Sequence, residues 1–121
     1  MWYGIDMTQV INIQHWLDEN GAPAPPVRRR ALRVARLIEY GGPLEIGYAR
    51  ETLVECSRRI DRRACEGLLW VAKADEGTLE AFCLTCRREH LVISGWEETM
   101  WADGPMEPVG PEDLEVPPSL N

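Results

Sequence analysis

Apolar residues near the N-terminus recur with the period of an α-helix. Val10, Ile13 and Leu17 are spaced i, i+3 and i+7, which predicts a helix over residues 8–20. A second helix is predicted over residues 26–40, since Pro is favoured at a helix start and Gly41-Gly42-Pro43 follows its apolar stripe. Residues 1–43 are therefore interpreted as an N-terminal helical segment.

After residue 50 the pattern changes to short runs of β-branched and other apolar residues. Such runs predict strands at residues 52–56, 68–73, 78–83 and 91–94. Asp75-Glu76-Gly77 lies between the second and third runs and predicts a hairpin turn. Together these elements predict an α+β fold, with the helical segment beside a small three-stranded, zinc-ribbon-like antiparallel sheet in a domain spanning residues 44–103.

Residues 104–121 differ in composition from the rest of the chain. They contain five prolines and four acidic residues, which predicts an extended acidic tail. The net charge of −7 argues against a nucleic-acid-binding protein, but the charge is unevenly distributed. Residues 24–63 carry ten arginines and five acids, whereas residues 97–121 carry seven acids and no basic residue. The sequence therefore has a basic middle and an acidic end.

The hydrophobic pattern gives no sign of membrane insertion or export. No stretch approaches the roughly 20 apolar residues of a membrane helix, and the N-terminus lacks the basic and apolar regions of a signal peptide. We therefore expect a cytoplasmic protein. Four cysteines in that reducing compartment are more often metal ligands than disulfides.

The four cysteines have the spacing Cys56-x8-Cys65-x17-Cys83-x2-Cys86. A Cys-x-x-Cys turn presents two sulfurs to one ion, and a hairpin between Cys65 and Cys83 would return the second pair to the first. The pattern thus predicts one structural Zn²⁺ held by four thiolates, although eight residues between Cys56 and Cys65 is a long gap for such a site. Three alternatives remain open: a redox Cys-x-x-Cys, a ligand set in which His90 replaces Cys56, and four buried unreactive thiols.

Residues 50–101 resemble a group of small uncharacterised bacterial proteins of zinc-ribbon appearance. The similar strings lie at 56–67 (Cys-Ser-Arg-Arg-Ile-Asp-Arg-Arg-Ala-Cys-Glu-Gly), 82–86 (Phe-Cys-Leu-Thr-Cys), 93–96 and 99–101. The resemblance implies a ribbon with all four cysteines as ligands and implies no activity. A Gly commonly follows the Cys-x-x-Cys turn in that group, whereas Arg87 and Arg88 follow it here.

Six arginines lie within or directly beside the two cysteine loops, residues 56–65 and 83–86. A tetrathiolate zinc site has a net charge of −2 and would be stabilised by such nearby cations. Because six exceed that need, the cluster is also a candidate anion-binding surface. Its members are Arg58, Arg59, Arg62, Arg63, Arg87 and Arg88. Trp96 and Trp101 are expected to cap the small sheet, with base stacking as the alternative.

The sequence contains no Ser/His/Asp set and no phosphate-binding loop, and four thiolates would close the zinc coordination shell. We therefore expect a small non-enzymatic zinc-binding module that acts as a protein-binding adaptor or regulatory protein. A zinc ribbon that binds nucleic acid through the arginine cluster is the alternative. The pattern does not identify the protein partner or the oligomeric state.

Overall fold

The computed structural model describes residues 8–104, which form one α-helix and seven β-strands. The helix α1 spans Arg28–Gly41 and is preceded by a 3-10 turn at Pro25–Val27. The strands are β1 (Thr8–Asn12), β2 (Ala49–Glu55), β3 (Arg59–Ile60), β4 (Arg63–Ala64), β5 (Leu68–Lys73), β6 (Leu79–Cys83) and β7 (His90–Ser94). The predicted tail from residue 105 onward lies outside the described residues.

Five of the strands form one mixed sheet in the order β1-β7-β6-β5-β2. All neighbours are antiparallel except β1, which pairs parallel to β7 with Val10 opposite Val92. The strands β3 and β4 form a separate two-stranded hairpin. The α+β class is confirmed, but the expected three-stranded sheet is wrong, because β1 and β2 extend the β5-β6-β7 meander on both edges.

The helix predicted over residues 8–20 is also wrong. The segment instead forms β1, a 3-10 turn at Ile13–Trp16 and an isolated bridge between Leu17 and Pro23. Ile11 and Ile13 are buried, whereas Val10 is 77% exposed. Burial therefore alternates every second residue, as in a strand, and not every third or fourth residue, as in a helix. Pairing with β7 stabilises the extended conformation of this β-branched run, and tertiary contacts outweigh a weak helical pattern.

The second predicted helix is confirmed. Helix α1 buries one apolar face against the sheet, where it packs on β2, β5 and β6. The buried residues are Ala31, Val34, Ala35, Leu37, Ile38 and Gly41. Gly41 faces the side chains of Val71 and Leu79, and an added Cβ would approach Val71 to 2.9 Å. The helix therefore lies close to the sheet at its C-terminal end.

A single hydrophobic core joins the helix and the sheet. Residues on both sides of the predicted boundary at 43–44 contribute to it, including Ile13 and Leu37 before the boundary and Leu69 and Ile93 after it. Burying each such side chain contributes roughly 1.5–3 kcal/mol before the entropic costs of folding. No helix among residues 8–104 is long and apolar enough to cross a membrane.

The end of the sheet farthest from the cysteines is closed by two tryptophans. Trp96 and Trp101 are both buried, and the Trp96 indole N–H donates to the Gly77 carbonyl at 2.9 Å. The Lys73 ammonium lies 4.8 Å from the centre of the Trp96 ring and donates to the Gly42 carbonyl at 2.6 Å. The expectation that both tryptophans belong to the core is thus confirmed.

Candidate metal centre

The four cysteines lie at one end of the sheet because of where the strands begin and end. Cys56 directly follows β2, Cys65 directly follows β4, and Cys83 is the last residue of β6. Cys86 lies in the turn between β6 and β7. The antiparallel pairing of β5 with both β2 and β6 places these positions at the same sheet end.

The sulfurs have the spacing of a tetrahedral metal site. All four Sγ atoms lie within 4.8 Å of one another, and the Cys56–Cys86 and Cys65–Cys83 sulfur pairs are each 3.7 Å apart. A disulfide requires about 2.05 Å, so these thiols are free. Four sulfurs at the usual Zn–S distance of about 2.3 Å form a tetrahedron with edges of about 3.8 Å. The cluster therefore fits one ion such as Zn²⁺ with little rearrangement.

Each sulfur accepts at least one backbone N–H from a residue that follows it closely. Arg58 N–H donates to Cys56 Sγ, Gly67 N–H to Cys65 and Arg88 N–H to Cys86, each at 3.4 Å. The N–H of Cys86 donates to Cys83 Sγ at 3.5 Å. Such donors stabilise thiolates and orient them as ligands. The loops thus point a backbone N–H at each sulfur, the arrangement that a metal-bound thiolate would need.

The thiols differ in acidity because their surroundings differ. Burial raises the pKa of Cys56 well above its ordinary value. Burial has the same tendency at Cys83, but hydrogen bonds, chiefly from the backbone N–H groups of Cys86 and Thr85, outweigh it and lower that pKa to about 7. Four crowded thiolates repel one another, so full ionisation of the cluster requires a cation. A divalent ion would supply this positive charge and displace the thiol protons.

Two backbone features fit the loops to the sulfurs. An added Cβ at Gly67 would lie 3.0 Å from Cys83 Sγ and 2.7 Å from the Thr85 Cβ, so only glycine allows this approach. Arg87, which follows the Cys-x-x-Cys turn, has a φ of 61°, in the left-handed region. The turn therefore keeps the conformation that favours glycine even though an arginine occupies the position.

His90 lies outside the sulfur cluster. Its Nδ1 is 2.7 Å from the Thr8 hydroxyl, and its Nε2 is 3.5 Å from a Glu80 carboxylate oxygen. The group that can hold a metal consists of the four cysteines, including Cys56. The geometry therefore favours the four-cysteine set over the set in which His90 replaces Cys56.

A buried carboxylate that sequence reasoning missed ties the two cysteine loops to the helix. Glu89 is 4% exposed and accepts two hydrogen bonds from the Arg33 guanidinium, at 2.9 and 3.1 Å. It also accepts from the Ser57 N–H at 2.7 Å and the Ser57 hydroxyl at 3.0 Å. Burial tends to raise the Glu89 pKa, but these donors outweigh it and lower the pKa below its ordinary value. The only signal in the sequence was a lone acid following two arginines.

Three of the six arginines near the cysteines line two grooves. Arg63 and Arg88 line a groove of about 440 Å³ beside Cys65 and Cys86. Arg87 lines a separate groove with Phe82 and His90. Arg58, Arg59 and Arg62 line neither groove, and Arg59 donates to the Arg62 carbonyl at 2.6 Å.

Arg58 is different from its neighbours. Its Nε is the one buried side-chain nitrogen or oxygen within residues 8–104 that has no hydrogen-bond partner. Arg58 also lies two residues after Cys56, and its backbone N–H donates to that sulfur. A partly buried cation in this loop is suited to a nearby tetrathiolate centre of net charge −2. Arg58 is therefore better explained by the cysteine cluster than by an external anion.

Comparison of the chain with protein-family models, with curated proteins and with solved structures gave no match. The resemblance of residues 50–101 to small bacterial zinc-ribbon-like proteins therefore stays an expectation.

The cysteine cluster offers a compact set of four sulfur donors, enough to fill a tetrahedral shell.

Proposed function

We propose that this protein is a small, non-enzymatic zinc-binding module that acts as an adaptor through contacts with another protein. The observation that carries the zinc assignment is the tetrahedral spacing of the four sulfurs. The backbone donor at every sulfur and the glycine-only approach at Gly67 support it. Free thiols that bind metal suit the reducing cytoplasm, where we place the protein.

A structural role follows from the donor set. Catalytic zinc sites keep one position for water or substrate, whereas four thiolates fill the tetrahedral shell. The bound ion would hold together the end of β2, the β3–β4 loop and the β6–β7 turn, which otherwise bury little apolar surface. Zinc in this position acts on the fold and on the surfaces that these loops present.

Nucleic-acid binding is the second candidate, and it rests on the groove flanked by Arg63 and Arg88. No aromatic residue is found among the described residues that line this groove, and Glu66 lies in it. Base stacking on aromatic rings is a main source of affinity for single strands. A groove with an acid and without an aromatic ring among its described lining residues is poorly suited to a nucleic acid, which favours the adaptor function.

The test measures the metal content and the thiol reactivity of the purified full chain. We expect about one zinc per chain by elemental analysis, and thiol titration that detects free cysteines only after chelation. Substitution with Co²⁺ should give the intense thiolate-to-metal absorption of a tetrahedral tetrathiolate site. Cys83→Ser should lose the metal and the order of the cysteine loops.

His90→Gln is the matched control, because His90 lies near the cysteines but outside the cluster. It should keep full zinc content and the Co²⁺ spectrum. Zinc-free protein with four freely reactive thiols would overturn the zinc assignment. Folded Cys83→Ser protein with undiminished zinc would show that Cys83 is not a ligand. Tight binding of the zinc-loaded chain to oligonucleotides would overturn the adaptor function in favour of the nucleic-acid alternative.

A further inference from the structure

An open groove runs between helix α1 and the edge strand β2 and leads toward Cys56. It has a volume of about 570 Å³. The helix contributes Arg29, Leu32, Arg33 and Arg36, which are spaced i, i+3, i+4 and i+7 and so share one flank. The strand contributes Leu53, Val54 and Glu55. Among residues 8–104, β2 has no strand neighbour on this side.

The groove exposes apolar surface that the core does not use. Leu53 is 68% exposed and Leu32 is 39% exposed, although both belong to regular elements. Leu53 points outward because residues alternate along β2, with its neighbours Thr52 and Val54 buried. The register of β2 to β5 shifts between Glu51 and Glu55. Thr52 stabilises this shift, since its hydroxyl donates to the Leu69 carbonyl and accepts from the Val54 N–H. The outward leucine is therefore a built feature of the strand.

The rim of the groove is basic. Arg29 and Arg36 are exposed, and neither has a carboxylate oxygen within 4.0 Å in the described part of the chain, although Arg36 interacts electrostatically with Glu39. Arg33 between them is already bound to Glu89 and to the Glu55 carbonyl. Among residues 8–104, Glu55 is the one acid that lines the groove, so this lining carries three arginines against one carboxylate.

Leucine side chains flanked by arginines match a specific chemistry. An acidic peptide segment with a leucine-like side chain would bury that side chain on Leu32 and Leu53 and place its carboxylates near Arg29 and Arg36. The described residues that line the groove include no aromatic ring for stacking a nucleobase. We propose that the α1–β2 groove binds an acidic, leucine-bearing segment of a partner protein. This inference rests on the proposed adaptor function and names its surface.

The probe is a fluorescein-labelled peptide, Gly-Pro-Glu-Asp-Leu-Glu-Val-Pro-Pro, which copies residues 110–118 of this chain and has the required chemistry. It is titrated by fluorescence anisotropy into the full, zinc-loaded chain. Leu53→Asp should weaken binding about tenfold, since it removes a buried apolar contact and adds repulsion. Arg29→Glu should weaken binding severalfold, and added salt should reduce that difference. Arg63→Glu, at the cysteine loops, is the matched control and should leave the affinity unchanged.

The copied sequence also makes the chain's own residues 112–115 a competitor. The same titration is therefore run on the full chain with Glu112→Gln, Asp113→Asn and Glu115→Gln. Binding by the wild-type chain that depends on Leu53 supports the proposal. If only the neutralised chain binds, the occupant is the chain's own acidic segment and a partner is overturned. If neither binds, or if Arg63→Glu weakens binding as much as Arg29→Glu, the groove assignment is overturned. Zinc content is measured in every sample, so loss of the metal site is distinguished from failure of the groove.

Discussion

The two ends of the central sheet are closed by different means. At the cysteine end, defined by Cys56, Cys65, Cys83 and Cys86, four sulfurs converge while most of the surrounding loop residues are exposed. At the tryptophan end, defined by Trp96, Trp101 and Lys73, both indoles are buried, and Lys73 lies over the Trp96 ring and donates to the Gly42 carbonyl at the end of α1. One end is suited to a metal, and the other is stabilised by apolar burial and hydrogen bonds.

The contrast follows from how much apolar surface each end can bury. A domain of about 100 residues has a limited core, and its ends are the first places where that core runs out. The tryptophan end supplies two of the five tryptophans of the chain. The cysteine loops supply mainly arginines and small residues, so cross-linking by a bound ion would replace burial there.

Removing the metal should give the largest difference in stability between the two ends of the sheet. Chelation of the zinc-loaded protein should speed amide exchange in residues 56–67 and 83–89 by about a thousandfold or more, because the ion holds these loops together. Strands β5 and β6 near the tryptophan end should change far less, since their core remains. Hydrogen exchange followed by mass spectrometry measures both. Uniform loss of protection along the chain would show that the ends are not independent.

Truncating Trp96 should have the opposite effect: it should destabilise the tryptophan end and leave zinc binding unchanged. Trp96→Ala should lower the free energy of unfolding by about 3–5 kcal/mol, because it opens a cavity and removes the bond to the Gly77 carbonyl. Zinc content should stay near one per chain. Trp96→Phe is the control, since it keeps much of the buried ring and loses chiefly the hydrogen bond. Denaturant unfolding gives the energies, and loss of zinc in Trp96→Ala would contradict the separation.

The Arg33–Glu89 pair links the cysteine end to helix α1. Its loss should lower the free energy of unfolding by less than the loss of Trp96 does. Arg33→Ala should destabilise the protein by about 2 kcal/mol, because the buried carboxylate then keeps only the two donors from Ser57. Arg29→Ala, one turn earlier on the same helix and exposed, should change stability by no more than about 0.5 kcal/mol. Chemical denaturation measures both variants. Equal effects would mean that the Glu89 network adds no stability.

The smallest expected effect lies in the Cys-x-x-Cys turn. Arg87→Gly should stabilise the cysteine end by up to about 1 kcal/mol, because the position has a φ of 61°. Arg87→Ala is the matched control: it removes the guanidinium but keeps the Cβ, and it should give no gain. Zinc affinity measured by competition with a chelator should rise only for the glycine variant. A gain in both would trace the effect to the charge of Arg87.

Local patterns were sufficient where an element is specified by its own residues. The apolar stripe of α1 and the turn at Asp75-Glu76-Gly77 predicted the helix and the β5–β6 hairpin, both of which the structure contains. Burial of Trp96 and Trp101 was likewise foreseen, since a small sheet has few other large side chains. The convergence of four cysteines followed from spacing, because a hairpin must return Cys83 to the neighbourhood of Cys65.

Long-range pairing decided the rest. The strand at Thr8–Asn12 exists because it pairs with β7, whose residues are 82 positions later, and no local pattern encodes that contact. The role of Glu89 likewise depends on Arg33, 56 residues away, and on Ser57 in the other cysteine loop. The arginines are one cluster in sequence, but Arg87 lines one groove and Arg63 and Arg88 line another. The sequence by itself determined the ligand chemistry and the local elements, whereas tertiary pairing determined the sheet and the surfaces around the metal centre, because those depend on which distant segments share an edge.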